Sequence, residues 1–354
     1  MEYPKVKIDL NKIEHNVKVI VNLCKKNDIK VAGVTKVFCA NPKITQAYID
    51  GGIDYLADSR IENLINLRNF NIPKIMLRLP MISEVEKVVE YADISLNSEI
   101  ETIKALSRKA MEKGKIHKVI LMIDLGDLRE GFYNREDLYS SIEEMLKLKG
   151  VKVIGIGTNL TCYGGVIPDE INLKRLMEIG RTIENKYNIK LEIISGGNSS
   201  HIHLLLKDKK IEGINNLRLG ESLVLGRETA YGERIDNTYE DAFNLIMEII
   251  EVKEKPSVPI GEIGMDAFGK VPTFIDKGIR KRIICAIGRQ DIELDTIIPI
   301  DRGISILGAS SDHLILDGTD SDKDYRVGDK VSFRLTYAGI LRAMTSEYVK
   351  KDIN

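Results

Sequence analysis

Only four cysteines occur in the 354 residues, Cys24, Cys39, Cys162 and Cys285, and no two of them form a CxxC pair. That spacing argues against a thiolate zinc site and a disulfide framework and suits a reducing compartment. Charge of one sign is missing too. Lys and Arg total 52 against 53 Asp and Glu, a net charge of -1, so there is no electrostatic case for nucleic acid or an anionic membrane as partner. No stretch approaches about eighteen consecutive apolar residues, and the opening MEYPKVKIDLNKIEHN mixes charged with apolar residues around no signal-like core. The expectation is a cytoplasmic protein without a membrane span. Repeats, low-complexity tracts and long linkers are absent as well. What remains is 43% hydrophobic and 30% charged residues, enough to bury a large core and to divide into two domains.

Eight short apolar runs appear in order: KVAGVTK (30–36), IDYLAD (53–58), KIMLRL (74–79), ADISLN (92–97), KVILMIDL (118–125), KVIGIGTNL (152–160), LEIISGG (191–197) and NLRLGE (216–221). Between them, segments such as SRIENLINLRNF, EVEKVVEY and NLKRLMEIGRTIENKY repeat apolar residues at three- and four-residue spacing, the mark of amphipathic helices. Strands buried on both faces and alternating with such helices describe a (β/α)8 TIM barrel over residues 10–235. Beyond that, LIMEIIEVKE, RIICAIG, ISILGASSDHLILD and KVSFRLTYAG are short alternating runs punctuated by Gly and Pro, so 236–354 is expected to form a smaller all-β domain. The opening strand VKIDL, within 1–9, can join that domain, because the first barrel strand follows a helix.

Barrel chemistry sits at the C-terminal ends of the strands, where Lys36, Asp124, Asn159, Asn198 and Arg218 fall. A lysine closing an apolar strand can simply extend to solvent. Desolvation would instead lower its pKa and make it a nucleophile toward aldehydes, giving a Schiff base. The neighbours bear on the choice. SGGNSS after the seventh strand offers backbone N–H and hydroxyl donors from Gly196 to Ser200, and Gly220 with Glu221 offers more after the eighth, where barrels commonly bind phosphate. Arg218 can pair with a carboxylate such as Glu221, or it can face a ligand. Lysine on the first strand, phosphate donors on the seventh and eighth and an arginine on the eighth together point to pyridoxal 5'-phosphate.

The segments VTKVFCAN, YLADSRIENL, ADISLNSE, MIDLGDLREG, GIGTNLTCYGG, SGGNSS, LRLGESLVLGRETAYGE, PIGEIGMDAFG, KGIRKR and LGASSDHLILD occur in order along nearly the whole chain. With them the sequence resembles the alanine racemase group of fold type III pyridoxal-phosphate enzymes. The resemblance implies that Lys36 carries the cofactor, that Arg129 lies near its phenolic oxygen and the substrate carboxylate, and that Asn198, Ser199, Gly220 and the backbone of Glu221 hold the phosphate. It places Arg218 against the pyridine nitrogen, and Asn159 where a histidine stacks on the ring. It also implies a homodimer in which the second domain covers the neighbour's barrel mouth, with Asp312 binding substrate there. The implied reaction is two-base inversion of an amino acid's α-carbon. Within the group the likeness is to racemases of basic amino acids, with ornithine as the expected substrate and lysine as the alternative.

Besides Asn159, three positions depart from the alanine-specific pattern: Met122 replaces a carbamylated lysine, Ala40 a phosphate-binding tyrosine, and Arg289 stands near the expected tyrosine base. Lys36 serves as one base. For the opposite face the candidates are His313, oriented by Asp312, ahead of Asp312 itself and Asp291; the Asp312–His313 pair can also merely cap a turn. A substrate ammonium calls for an added acid, with Asp58, Asp127 and Glu228 as candidates. His201 and His203 alternate along one face without further ligands, so no metal is expected, and His15 and His117 are expected at the surface. Two other readings are a fold type III decarboxylase of basic amino acids and a non-catalytic cofactor carrier. The former usually carries motifs not found here, and the latter lacks a β domain.

Overall fold

The computed structural model describes residues 2–266 and 268–354; Ala267, inside the PIGEIGMDAFG motif, lies outside them. The chain divides into two compact units, one comprising Asn11–Glu240 and the other the residues up to Leu10 together with Asp241–Asn354. None of the described helices is long and apolar enough to cross a membrane.

The first strand, β1 (Lys5–Ile8), belongs to the second unit. The next eight make the first: β2 (Lys30–Val34), β3 (Tyr55–Asp58), β4 (Lys74–Met76), β5 (Ile94–Asn97), β6 (His117–Met122), β7 (Val151–Gly157), β8 (Ile193–Ser195) and β9 (Asn216–Leu219). They pair in parallel, each with the next, and β9 returns to β2 to close the barrel. The expected (β/α)8 architecture is therefore present. Ala32, Val34, Ala57, Ile75, Leu96, Ile120 and Met122 fill its interior, and every second residue of a strand points there because side chains alternate across the sheet. The strands are shorter than their apolar runs. Leu77 and Leu79 continue to pack on the interior after β4 has ended, so apolar character persists where the ladder does not.

The helices between them follow local signals. Leu10–Lys25 buries Ile13, Val17, Ile20, Val21 and Cys24, a stripe at three- and four-residue spacing. Glu170–Tyr187 begins at a reciprocal capping box between Asp169 and Asn172 and stops where Asn188 turns left-handed at φ +50°.

In the second unit, β10 (Phe243–Pro256), β11 (Ile279–Cys285), β12 (Ile297–Pro299), β13 (Ser305–Ala309), β14 (Leu314–Asp317) and β15 (Lys330–Leu335) form one antiparallel sheet in the order β12-β15-β10-β11-β14-β13. β1 pairs with β10 and, in parallel, with β16 (Lys350–Ile353). This unit is not purely β. Thr336, just after β15, accepts the Gly339 N–H and caps the helix Tyr337–Thr345, a segment that reads as a strand tail in sequence.

Candidate active site at the barrel mouth

Lys36 opens a 3-10 turn directly after β2. The turn is anchored from beneath. Thr35 is fully buried, its N–H bonds the Ala57 carbonyl at 2.9 Å and its hydroxyl donates to Asp58 at 2.6 Å. Asp58, also fully buried, accepts from the Arg60 N–H at 2.8 Å and the Asn63 amide at 3.1 Å. Burial pushes its carboxyl above the usual range, while these donors pull it back. Among the described residues no hydrogen bond or ion pair engages the Lys36 ammonium, which is half-buried.

Arg218 is the register partner of Ala32, and Ala32 belongs to the interior cluster, so its side chain enters the barrel. It is 5% exposed. One guanidinium nitrogen donates to the Ser195 hydroxyl and the other to the Thr158 carbonyl at 2.6 Å. Burial lowers its pKa to about 10, with Glu130 opposing that shift and Arg129 adding to it. Glycine at 157 leaves the guanidinium its space: a Cβ there would lie 3.1 Å from the Ser195 Cβ and 3.3 Å from an Arg218 nitrogen. Glu221 does not pair with Arg218. It binds Arg227 at 2.6 Å instead.

The loops after β8 and β9 converge. The Ser199 hydroxyl accepts the Ser222 N–H at 3.1 Å and the Gly220 N–H at 3.4 Å and donates to the Ser222 hydroxyl at 3.1 Å. Asn198 accepts the Ser200 N–H and donates to the Asn159 amide oxygen at 2.9 Å, the Leu160 carbonyl at 2.8 Å and the Cys162 sulfur at 3.3 Å. Gly197, at φ +115°, supplies the left-handed residue of this turn, and a Cβ there would meet only the Thr158 oxygen at 3.9 Å. The Thr158 and Ser200 hydroxyls are buried with no partner among the described residues. Ser200 belongs to the donor turn expected from sequence, whereas Thr158, Ser195 and Ser222 are not distinguished there. Their signal was their place at strand ends beside SGGNSS and the Gly220 turn.

The acids proposed for a substrate ammonium are otherwise occupied, which corrects that expectation. Asp127 accepts the Thr161, Tyr163 and Val166 N–H groups at 3.0 to 3.1 Å. Glu228 accepts those of Ala230, Tyr231 and Glu233, and Asp58 holds the Lys36 turn. All three are buried because they organise loops. Asp124 likewise caps Gly126 and Leu128. Arg129 instead meets Glu130, which stands beside it, at 2.6 Å.

His117 corrects another expectation, since it is buried on β6 and bonded to the Ser95 hydroxyl at 2.8 Å. His201 and His203 turn their Nδ1 atoms to the Gly196 and Ser200 carbonyls, and His15 meets the Asn237 carbonyl. Asp312 and His313 lie in the second unit, on the exposed turn between β13 and β14, with the His313 Nδ1 3.0 Å from the Asp312 carboxylate. Nearby in that unit, Arg289 lies under the Phe268 ring at 4.9 Å and donates to the Ala309 carbonyl. Asp291 is buried and accepts the Ser346 hydroxyl at 2.6 Å, a structural task.

Residues 8–228 match the protein family described as alanine racemase, N-terminal domain. The chain belongs to that family. Its similarity to one curated family relative, an ornithine racemase from Acetoanaerobium sticklandii, is 53% identity over 99% of each chain. A lysine racemase from Thermotoga maritima is 41% identical over 99% of this chain and 98% of its own. Among solved structures, an alanine racemase from Bartonella henselae with covalently bound pyridoxal phosphate superposes with a TM-score of 0.74 over the full length of both chains at 18% identity, a likeness of fold.

Proposed function

We infer that this chain is a pyridoxal-phosphate-dependent amino-acid racemase and that ornithine is its substrate. The observation that carries the reading is the 53% identity to an ornithine racemase across 99% of both chains. Lysine, from which ornithine differs by one methylene, is expected as a slower substrate, since such a difference is worth only about 1 to 3 kcal/mol in a pocket.

The residues at the barrel mouth fit a phosphorylated aromatic aldehyde. Lys36 offers an uncommitted primary amine to the aldehyde. Ser199, Gly220 and Ser222 gather donors for a phosphate, and the partnerless Ser200 and Thr158 hydroxyls beside them leave hydrogen bonds to be made. With the cofactor bound, Arg218 and Asn159 would hold its ring, and Arg129 would hold its phenolic oxygen and the substrate carboxylate. When bound, the cofactor withdraws electrons from the substrate's α-carbon and makes its proton acidic.

The remaining work belongs to the chain. The Lys36 amine would take or return the α-proton on one face. Arg218 stays protonated at neutral pH and can only donate, so it limits how strongly the ring accepts electrons and thereby favours return of the proton to the same carbon. His313, held by Asp312, is the base we assign to the opposite face.

The second unit presents that pair to solvent and carries a run of exposed apolar residues, among them Ile260, Met265, Phe274 and Ile275. Both features support a homodimer in which each copy's Asp312 and His313 complete the other's site. A cytoplasmic location agrees with the four free thiols.

Incubating purified protein with L-ornithine and following optical rotation tests the function. Decay of the signal to zero without carbon dioxide is the expected result. Carbon dioxide release would make it a decarboxylase, and an unchanged signal a cofactor carrier.

A further inference from the structure

We propose that the Arg129–Glu130 ion pair is the specificity device of the site: Glu130 receives the distal ammonium of a diamino acid while Arg129 receives its carboxylate. The inference rests on the racemase reading above and deepens it. A substrate carrying both charges enters by exchanging partners with a pair that already holds their complements.

The position of the pair supports this. Both residues lie on the loop that follows β6, which Asp127 ties to the loop after β7, so the pair stands at the C-terminal mouth of the barrel. The Glu130 side chain is 19% exposed and that of Arg129 42%, so the pair is open to a small molecule. Ion pairs this accessible are held weakly and exchange readily.

The loop that carries them is fixed independently. Asp124 accepts the Gly126 and Leu128 N–H groups, and Asp127 ties the loop to Thr161, Tyr163 and Val166. Gly131, at φ +132°, has the Asp124 backbone nitrogen 2.5 Å from where a Cβ would be, so the chain passes too closely there to admit any side chain. The pair is thus presented from a rigid support, as selective contacts require. The other acids considered for this task hold backbone N–H groups and cannot leave them without unravelling loops.

Chemistry matches as well. A guanidinium binds a carboxylate through two parallel N–H groups, and a carboxylate accepts an ammonium with a charge-assisted bond. Alanine could satisfy Arg129 but would strip Glu130 of its partner and return nothing, so the pair discriminates against neutral side chains.

The test compares racemisation and calorimetric binding of ornithine with those of norvaline, which has the same carbon chain without the distal ammonium. In Glu130→Gln, kcat/KM for ornithine is expected to fall about tenfold or more relative to norvaline, with a parallel rise in the ornithine Kd. Glu130→Asp keeps the charge but shortens its reach, so it is expected to shift preference from ornithine toward the longer lysine. This variant serves should the glutamine variant be unstable. Unchanged ratios in the folded variants overturn the proposal alone. A wild-type protein inert toward both diamino acids overturns the underlying reading with it.

Discussion

Replacing Arg218 with methionine should separate the demands of function from those of folding. The guanidinium is charged at pH 7, well below its lowered pKa of about 10, so the burial cost applies in full. The fall from 12.5 to about 10 corresponds to about 3 kcal/mol at roughly 1.4 kcal/mol per pH unit. Removing it forfeits hydrogen bonds to the Ser195 hydroxyl and the Thr158 carbonyl, about 2 to 3 kcal/mol together. Ser195 keeps its bond to Asn216 at 2.7 Å, and methionine fills most of the vacated volume. The two effects nearly cancel. Chemical denaturation of the cofactor-free Arg218→Met protein should therefore give a stability within about 1 kcal/mol of wild type, where truncating a large buried side chain ordinarily costs about 2 to 5. Racemisation of ornithine should be lost. A loss of more than about 4 kcal/mol would show that the arginine is a structural keystone, and retained activity would show that it has no part in the chemistry.

Three further outcomes follow from particular contacts. Ser199→Ala removes the acceptor shared by the Gly220 and Ser222 N–H groups, so titration with pyridoxal phosphate should show about tenfold weaker binding; unchanged affinity would remove Ser199 from the phosphate site. Burial pushes His117 and His201 from 6.5 down to about 4, so the unfolded chain takes up protons that the folded one resists. Their contribution is complete above pH 6.5 and is lost as pH falls toward 4, up to about 3 kcal/mol each. Melting curves should therefore shift downward over that window, and less steeply in His117→Gln; a flat profile would contradict their burial. Lys36→Ala and His313→Ala should each be inactive, yet mixing and reassembling the two should restore roughly a quarter of wild-type activity, because about half of the dimers are then mixed and one of the two sites in each is intact. No recovery would mean that the two residues do not meet across subunits.

Much of this protein was determined by its sequence. The eight apolar runs became eight barrel strands because a strand buried on both faces must be apolar throughout, a requirement met residue by residue. Lys36 and Arg218 were identifiable because each interrupts such a run at a strand end. Burial of individual polar groups was not legible in the same way. His117 sits among charged residues in sequence and looks exposed, yet the barrel lays Ser95 against it from a strand 22 positions earlier.

The acids show the limit most clearly. Asp58, Asp127, Glu228 and Glu130 are indistinguishable as carboxylates on strand-end loops. Only the tertiary structure brings the Thr161, Tyr163 and Val166 N–H groups, 34 to 39 positions away, around Asp127 and leaves Glu130 to a neighbouring guanidinium. Strand and helix identity follow from patterns a few residues long. Whether a carboxylate can bind a ligand depends on which distant donors reach it first, and that is decided when the chain closes on itself.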